Sequence, residues 1–433
     1  MLIRRGLFTS VTLALLLLAP QLLAAVVVPD SAKFVISLPD PVVYCGRYHN
    51  LTATVASLGK QGFAVGWENA WEEFHSGCYE ASPVSGARLV GAGNRLRIAQ
   101  RFEPTTSVDV EDGSAWDLSF ANLGGGRFVS VASVSEYWEE FGWTVGVWYR
   151  RFAAGQTAPD AESVRLGNIW LTHWEVAPRI ASGGDGLFVL AWSRARHDEQ
   201  SQVWTWQKMA QVFGADGGPV SPEIAVTEPM ASSSCCDDPL VGPEVGMAAD
   251  GTFVVLWTDL RFPLNPLQGR RFDRAGNPLG EIFGIGTQGS NSGRPAMAMA
   301  PSGGFVVAWP SSVSSSETIL VSRFTVDGER VGHPVALLAS GGDPAVALDR
   351  SGRVAVSWID VQGTALAVFN ASLKRLGPVV YDPSSMPADP YREGENPRSS
   401  VAFGDDGRIL TVWVGHWGTW VRDSVIARFW RAR

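Results

Sequence analysis

At 433 residues the chain has room for two or three ordinary domains, or for one large domain built of repeats. Its 45% hydrophobic content is ample for a core, while 18% charged residues is low for a soluble enzyme. A formal charge of −8 argues against a nucleic-acid partner, which needs a basic face to meet phosphate.

The chain opens MLIRRGLFTSVTLALLLLAPQLLAA. Arg4 and Arg5 give a positive start, an apolar run reaches Ala19, and Ala24 and Ala25 offer a cleavage point. This predicts a signal peptide over residues 1–25 and a secreted or periplasmic protein. The run is too short for a bilayer and no second one follows, so no transmembrane helix is expected in the mature chain. No cysteine stands at the cleavage point, which argues against a lipid anchor. Four cysteines in an oxidising compartment are expected to pair.

Beyond the leader, one phrase recurs in chain order: QGFAVGW to Trp67, GRFVSVA to Ala132, GLFVLAW to Trp192, GTFVVLW to Trp257, GGFVVAW to Trp309, GRVAVSW to Trp358 and GRILTVW to Trp413. A second apolar stretch closing on Phe follows each copy: AQRF at Phe102, YRRF at Phe152, AQVF at Phe213, GRRF at Phe272, VSRF at Phe324, LAVF at Phe369 and IARF at Phe429. Alternating small and apolar residues precede the phrase, as in TATVAS and PAMAMA, and a turn and a fourth apolar stretch often end the unit. Turns such as AADG and GDDG suit tight hairpins that need positive φ.

Each unit therefore reads as four strands, and units of roughly 40 to 50 residues are the mark of propeller blades. Seven units predict an all-β, seven-bladed β-propeller of four-stranded antiparallel blades, forming one domain over residues 26–433. Approximate blades are 50–113, 114–171, 172–238, 239–293, 294–342, 343–396 and 397–433 plus 32–38. Two separate sandwiches are the competing arrangement. Against them, the last unit stops at FWRAR just after its third strand, while AKFVISL (32–38) is a spare strand at the start. The N-terminal strand is thus expected to close the ring beside the strand ending at Phe429.

With GGFVVAW and RFDRAG as its clearest copies, the mature chain resembles secreted bacterial β-propeller proteins with a G-x-F-x-V-x-W and R-F-D-x-x-G repeat. Blade 2 departs from the pattern at Ala132 and blade 6 at Val368. The resemblance implies the fold and no particular function.

Strand direction alternates within a blade, so loops between strands 2 and 3 share a face with the linkers between blades. The glycine hairpins lie on the opposite face. ENAWEEFHSGCYEAS, SEYWEEFGW, SRARHDEQSQ and VGHWGTW are such loops, and NIWLTHWE, SSSCCDDP, GSNSGRP and PYREGENPR are such linkers. Irregular loops on a rigid scaffold are where binding and catalysis sit.

On this face Trp71, Trp138, Trp174 and Trp417, with His197, His416 and Glu139, are the candidate ligand-binding residues, since indole planes stack on sugar rings or peptide side chains. A glycan or a protein is the expected ligand. Glu72, Glu73, Glu139, Glu140, Asp198 and Glu199 could instead serve glycoside chemistry, although acidic loops are commonly just solvated. A structural module of a surface assembly is a third reading.

Cys45 and Cys78 fall on this face in one blade, and a bond between them would close a loop of roughly 30 residues, worth on the order of 3 kcal/mol. The adjacent Cys235 and Cys236 could form a vicinal pair, a feature of quinoprotein propellers, but the tryptophan-docking repeats of those enzymes are missing. His173, His197 and His416 would have to converge from different blades, and no H-E-x-x-H spacing occurs, so no metal is expected. No sialidase-type Asp box, phosphate loop or G-x-S-x-G elbow is present, and no cofactor is expected.

Overall fold

The computed structural model describes residues 26–37, 46–73, 86–91, 97–99, 101–102, 104, 115–138, 142–166, 173–198, 200–233, 238–261, 266–286, 294–313, 316–338, 344–360, 362–382, 398–417 and 421–432. At 46–51, 69–73, 136–138, 142–143, 173–174, 312–313, 316–317, 416–417 and 421–423 it describes the backbone alone. The fold is all-β, seven antiparallel blades in a ring, with no α-helix among the described residues. Nor is any described helix long and apolar enough to cross a membrane.

The innermost strands are Gly46–Ser57, Ala115–Gly124, His173–Ser182, Leu240–Met247, Ala296–Met299, Ala345–Leu348 and Ser399–Phe403. Each hairpins into the repeat phrase, the second strand of its blade. That strand is flanked in its sheet by two others and on both faces by neighbouring blades. It therefore reads as a continuous apolar run rather than an alternating one. Phe253–Asp259 and Val354–Asp360 are buried at every position.

The six repeat tryptophans are at most 1% exposed. In blade 2, Ala132 stands opposite Trp148, so an indole reaches the same face from the third strand instead. The phenylalanines that open the second strand and close the third are register partners, and their rings stack. Phe128–Phe152, Phe188–Phe213, Phe253–Phe272 and Phe305–Phe324 have centroids 4.5, 5.2, 5.1 and 5.0 Å apart.

Blade 1 corrects one sequence expectation. Its third strand is Gly86–Val90, with Phe63 opposite Val90, and not the stretch ending at Phe102. Phe102 lies one position further out, bridged to Ala87 by backbone hydrogen bonds of 2.9 and 3.0 Å. GARLV reaches the third position first after the insert, and Gly86 makes this possible. A Cβ there would come within 2.5 Å of the Trp67 indole.

The ring closes through the N-terminus. Phe34, Val35 and Ser37 pair with Ala427, Ile426 and Val425, and Val27–Pro29 pairs with Trp430–Ala432. Phe34 stacks on Phe429 with centroids 5.7 Å apart. The third strand of blade 7 runs on past Phe429 to Ala432, and the added N-terminal segment covers that extension.

The glycine hairpins meet around one face. The Gly184 N–H donates to Ala249 O at 3.0 Å, and Ala249 donates to Pro301 O at 2.9 Å. Arg323 donates to Gly352 O at 2.7 Å and Arg353 to Gly407 O at 3.5 Å. A Cβ on Gly59 would lie 3.2 Å from Asp405, which joins blade 7 to blade 1. On the opposite face, Trp174 pairs in parallel with Val145, so blades 2 and 3 form one hydrogen-bonded sheet.

Candidate functional site: an axial cavity

All seven innermost strands line one cavity of about 290 Å³ on the ring axis. In blades 5, 6 and 7 its wall includes Arg294, Pro344 and Arg398, the residues just ahead of the innermost strands. The cavity therefore lies toward the linker face, away from the glycine hairpins.

Half of its charged lining, Asp117, Arg179 and Glu244, comes from breaks in the ladder. The innermost strands of blades 1 to 4 shift register between Asn50 and Thr52, Trp116 and Ser119, Val176 and Arg179, and Val241 and Glu244. A bulge re-aims side chains that a regular strand would bury between blades. Asp117 sits in the second of these at φ +58°, a left-handed conformation in which Asp is among the more tolerated residues. Arg179 and Glu244 end the third and fourth.

The bulges of blades 2, 3 and 4 are held by the residue after the repeat tryptophan position of the preceding blade. Glu68 Oε1 accepts the Leu118 N–H at 2.8 Å, Ser133 Oγ accepts the Ala177 N–H at 3.1 Å, and Ser193 Oγ donates to Gly242 O at 3.1 Å. Lys208 reinforces the last, its Nζ bonding Ser193 Oγ, Asp238 Oδ2 and Gly242 O at 2.5, 2.6 and 3.0 Å. Burial pulls the Lys208 ammonium down to about 8, against the attraction of Asp238.

Three carboxylates and three guanidiniums face this space: Glu68, Asp117, Glu244, Arg179, Arg294 and Arg398. Arg179 spans two of the acids, with Nε 3.1 Å from Glu244 and Nη1 3.8 Å from Asp117. Arg294 Nη1 lies 3.6 Å from Asp117. The side chains of Asp117, Arg179, Glu244 and Arg294 are 15 to 26% exposed, so solvent reaches them. Burial first, and then the charge of Asp117, pushes the Glu68 carboxyl above the usual range, against the pull of the Leu118 N–H and the Thr52 hydroxyl. Burial likewise raises the Glu244 carboxyl, against the attraction of Arg179, so the cavity offers two carboxyls inclined to hold their protons beside crowded guanidiniums.

The residues singled out from the sequence are placed unevenly. By backbone register Trp71, Trp138, Trp174 and Trp417 stand opposite Tyr48, Gly142, Ala195 and Val421, all at strand ends on the linker face. His416 lies on the backbone beside Trp417. The side chains of these five residues, and Glu139 altogether, lie outside the described residues, as do Cys45, Cys78, Cys235 and Cys236. His197 is half-buried, its ring 4.8 Å from Trp204. Asp198 caps its own hairpin, accepting the Gln200 N–H at 2.9 Å. Among the described residues no three His, Cys, Asp or Glu side chains cluster as metal ligands would.

Sequence reasoning missed the axial charges as a group. One signal for them was legible: the position after the repeat tryptophan is Glu, Ser, Ser, Thr, Pro, Ile and Val in the seven blades, and the single charge there is Glu68.

No family model matches the chain, and no curated protein does. Among solved structures it is similar to a protein of unknown function from Dyadobacter fermentans, with a TM-score of 0.53 and 9% identity over 94% of this chain and 99% of that one. It is also similar to the polysaccharide lyase Uly1, with a TM-score of 0.50 and 7% identity over 93% and 99%. At such identities the likeness is one of fold, and it extends over nearly the whole of each chain. The chain is a seven-bladed β-propeller whose solved neighbours include a protein of unknown function and a polysaccharide lyase.

Proposed function

We propose that this chain is an exported propeller that binds a glycan at its linker face, with the axial cavity at the centre of the site and aromatic residues around it. The carrying observation is the cavity itself, where guanidiniums and carboxylates from six blades meet in a solvent-reached space. Thr52, Thr54, Ser119 and Ser400 line the same wall. Closely spaced donors and acceptors suit a ligand rich in hydroxyls, and a volume near the lower end of the roughly 300–1,000 Å³ usual for ligand sites suits one sugar unit. Trp71, Trp138, Trp174 and Trp417, with His197, His416 and Glu139, form the proposed rim, where rings of a longer chain would stack. Export rests on the N-terminal stretch ending at Ala25.

The raised Glu68 carboxyl beside Asp117 favours a second reading, a hydrolase or lyase acting on carbohydrate in the same cavity. Two carboxyls in one cavity, one of them raised by burial, are the kind of pair that glycoside chemistry uses.

A polysaccharide array probed with the parent protein and with Glu68→Gln separates the two, each hit being assayed for released reducing ends and unsaturated products. Retention without release supports binding. Release that Glu68→Gln abolishes moves the assignment to the second reading. Retention on no polysaccharide contradicts both.

A further inference from the structure

The six axial charges are not spread evenly around the ring. Blades 1, 2 and 4 supply Glu68, Asp117 and Glu244, and Arg179 of blade 3 lies between Asp117 and Glu244. Blades 5 and 7 supply Arg294 and Arg398, and blade 6 between them contributes Pro344, Ala345 and Val346, with no charge. One arc of the wall is thus two guanidiniums flanking an apolar blade, and the facing arc is rich in carboxylates and hydroxyls.

Like charges crowd on this side. Burial, and then the fields of Arg179 and Arg398, draw the Arg294 guanidinium below its usual range, with Asp117 opposing. A negative group seated over blade 6 would relieve that repulsion. Of the three guanidiniums in the described lining, Arg179 lies within 4 Å of both Glu244 and Asp117, and Arg294 reaches Asp117 at 3.6 Å. Guanidinium forks match carboxylate geometry in particular, and Arg179 Nε already meets Glu244 Oε1 at 3.1 Å in this wall.

Resting on the glycan-binding reading, we propose that the axial cavity takes a carboxylate-bearing sugar unit, a hexuronate, with its carboxylate held between Arg294 and Arg398 over blade 6. Its ring hydroxyls then face Asp117, Glu244 and the hydroxyls of blades 1 and 2.

Titration calorimetry with glucuronate and its oligosaccharides, glucose and its oligosaccharides, and inorganic sulfate tests this. The variants are Arg294→Gln, Arg398→Gln and Arg398→Lys, with Arg350→Gln on the glycine-hairpin face as control, each checked by thermal melting. On the parent protein the uronates should bind at least tenfold more tightly than their neutral counterparts and than sulfate. Each glutamine variant should lose at least tenfold for uronates alone, Arg398→Lys should fall between, and Arg350→Gln should match the parent. Neutral sugars binding as well as uronates, with Arg398→Gln silent, would overturn the carboxylate assignment while leaving glycan binding intact. Sulfate binding as well as glucuronate would overturn the sugar contacts, and no uronate binding would overturn the proposal outright. Should a glutamine variant fail to fold, Arg398→Lys with the salt dependence of the parent decides the same question.

Discussion

Blades 1 to 4 and blades 5 to 7 obey the same repeat but build the axis differently. The innermost strands of the first four are 12, 10, 10 and 8 residues long, and each is broken by a register shift. Those of the last three are 4, 4 and 5 residues long and pair without a break. Every axial carboxylate comes from the broken group, whereas the regular group offers only the arginines that precede its strands. Packing between blades needs the repeat and keeps it in all seven. The axis is free of that demand, and four of the seven strands depart from it there.

If this division is right, removing residues 26–37 should have the largest effect. It strips Val27, Phe34 and Ile36 from blade 7, bares the strand edge at 425–432, and opens the ring where the regular blades meet the broken ones. At about 1.5–3 kcal/mol for each buried apolar side chain, a loss on the order of 5 kcal/mol is expected. A thermal melt indistinguishable from that of the mature protein would refute closure.

Next, Trp309→Ala in the regular group should cost about 3–5 kcal/mol in denaturant unfolding, as a core truncation. Ala132→Trp in blade 2, which restores the repeat letter opposite Trp148, should destabilise by about 1–3 kcal/mol through overpacking. A stabilising Ala132→Trp would mean that Trp148 does not serve that face.

The third effect depends on pH and belongs to the broken group. Glu175 of blade 3 is 5% exposed, Arg194 bonds its Oε1, and its Oε2 has no hydrogen-bond partner among the described residues. Burial pushes its carboxyl up to about 7, against the pull of Arg194. Between the ordinary carboxyl range and pH 7 the native state then binds more protons than the unfolded state, so stability falls as pH rises through that window. The fall should be on the order of 3 kcal/mol. Urea titrations at pH 5 and pH 8 should show it, and Glu175→Gln should make it shallower. Equal slopes in the two proteins would contradict the assignment.

The smallest effect concerns the rim and should leave stability untouched. Trp138→Ala and Trp417→Ala should each weaken glycan retention by about 1–3 kcal/mol with little change in melting temperature. Loss of retention from Asp250→Ala in a glycine hairpin, with the rim variants silent, would move the site to the hairpin face.

The fold was legible because packing repeats itself. A second strand buried on both sides must be apolar seven times over, and the spare strand at 32–38 answered the missing one beside Phe429. The blade 1 third strand was misread because Phe102 carries the motif letters while GARLV does not. The axial cluster was legible only in part. Glu68, Arg294 and Arg398 fall in segments that strand alternation assigned to the linker face, but nothing in their spacing brings them together. Asp117, Arg179 and Glu244 depend on bulges, and a period-two pattern cannot foresee where a ladder will slip.

The most direct test of the claim that ligand sits on the axis toward the linker face is hydrogen exchange with and without glucuronate oligosaccharides. Added protection is expected at 117–120, 179–180, 244–245 and 294–297, with the glycine hairpins at 124–126, 249–252 and 404–407 unchanged. Protection confined to the hairpins, or none along the innermost strands, would contradict it.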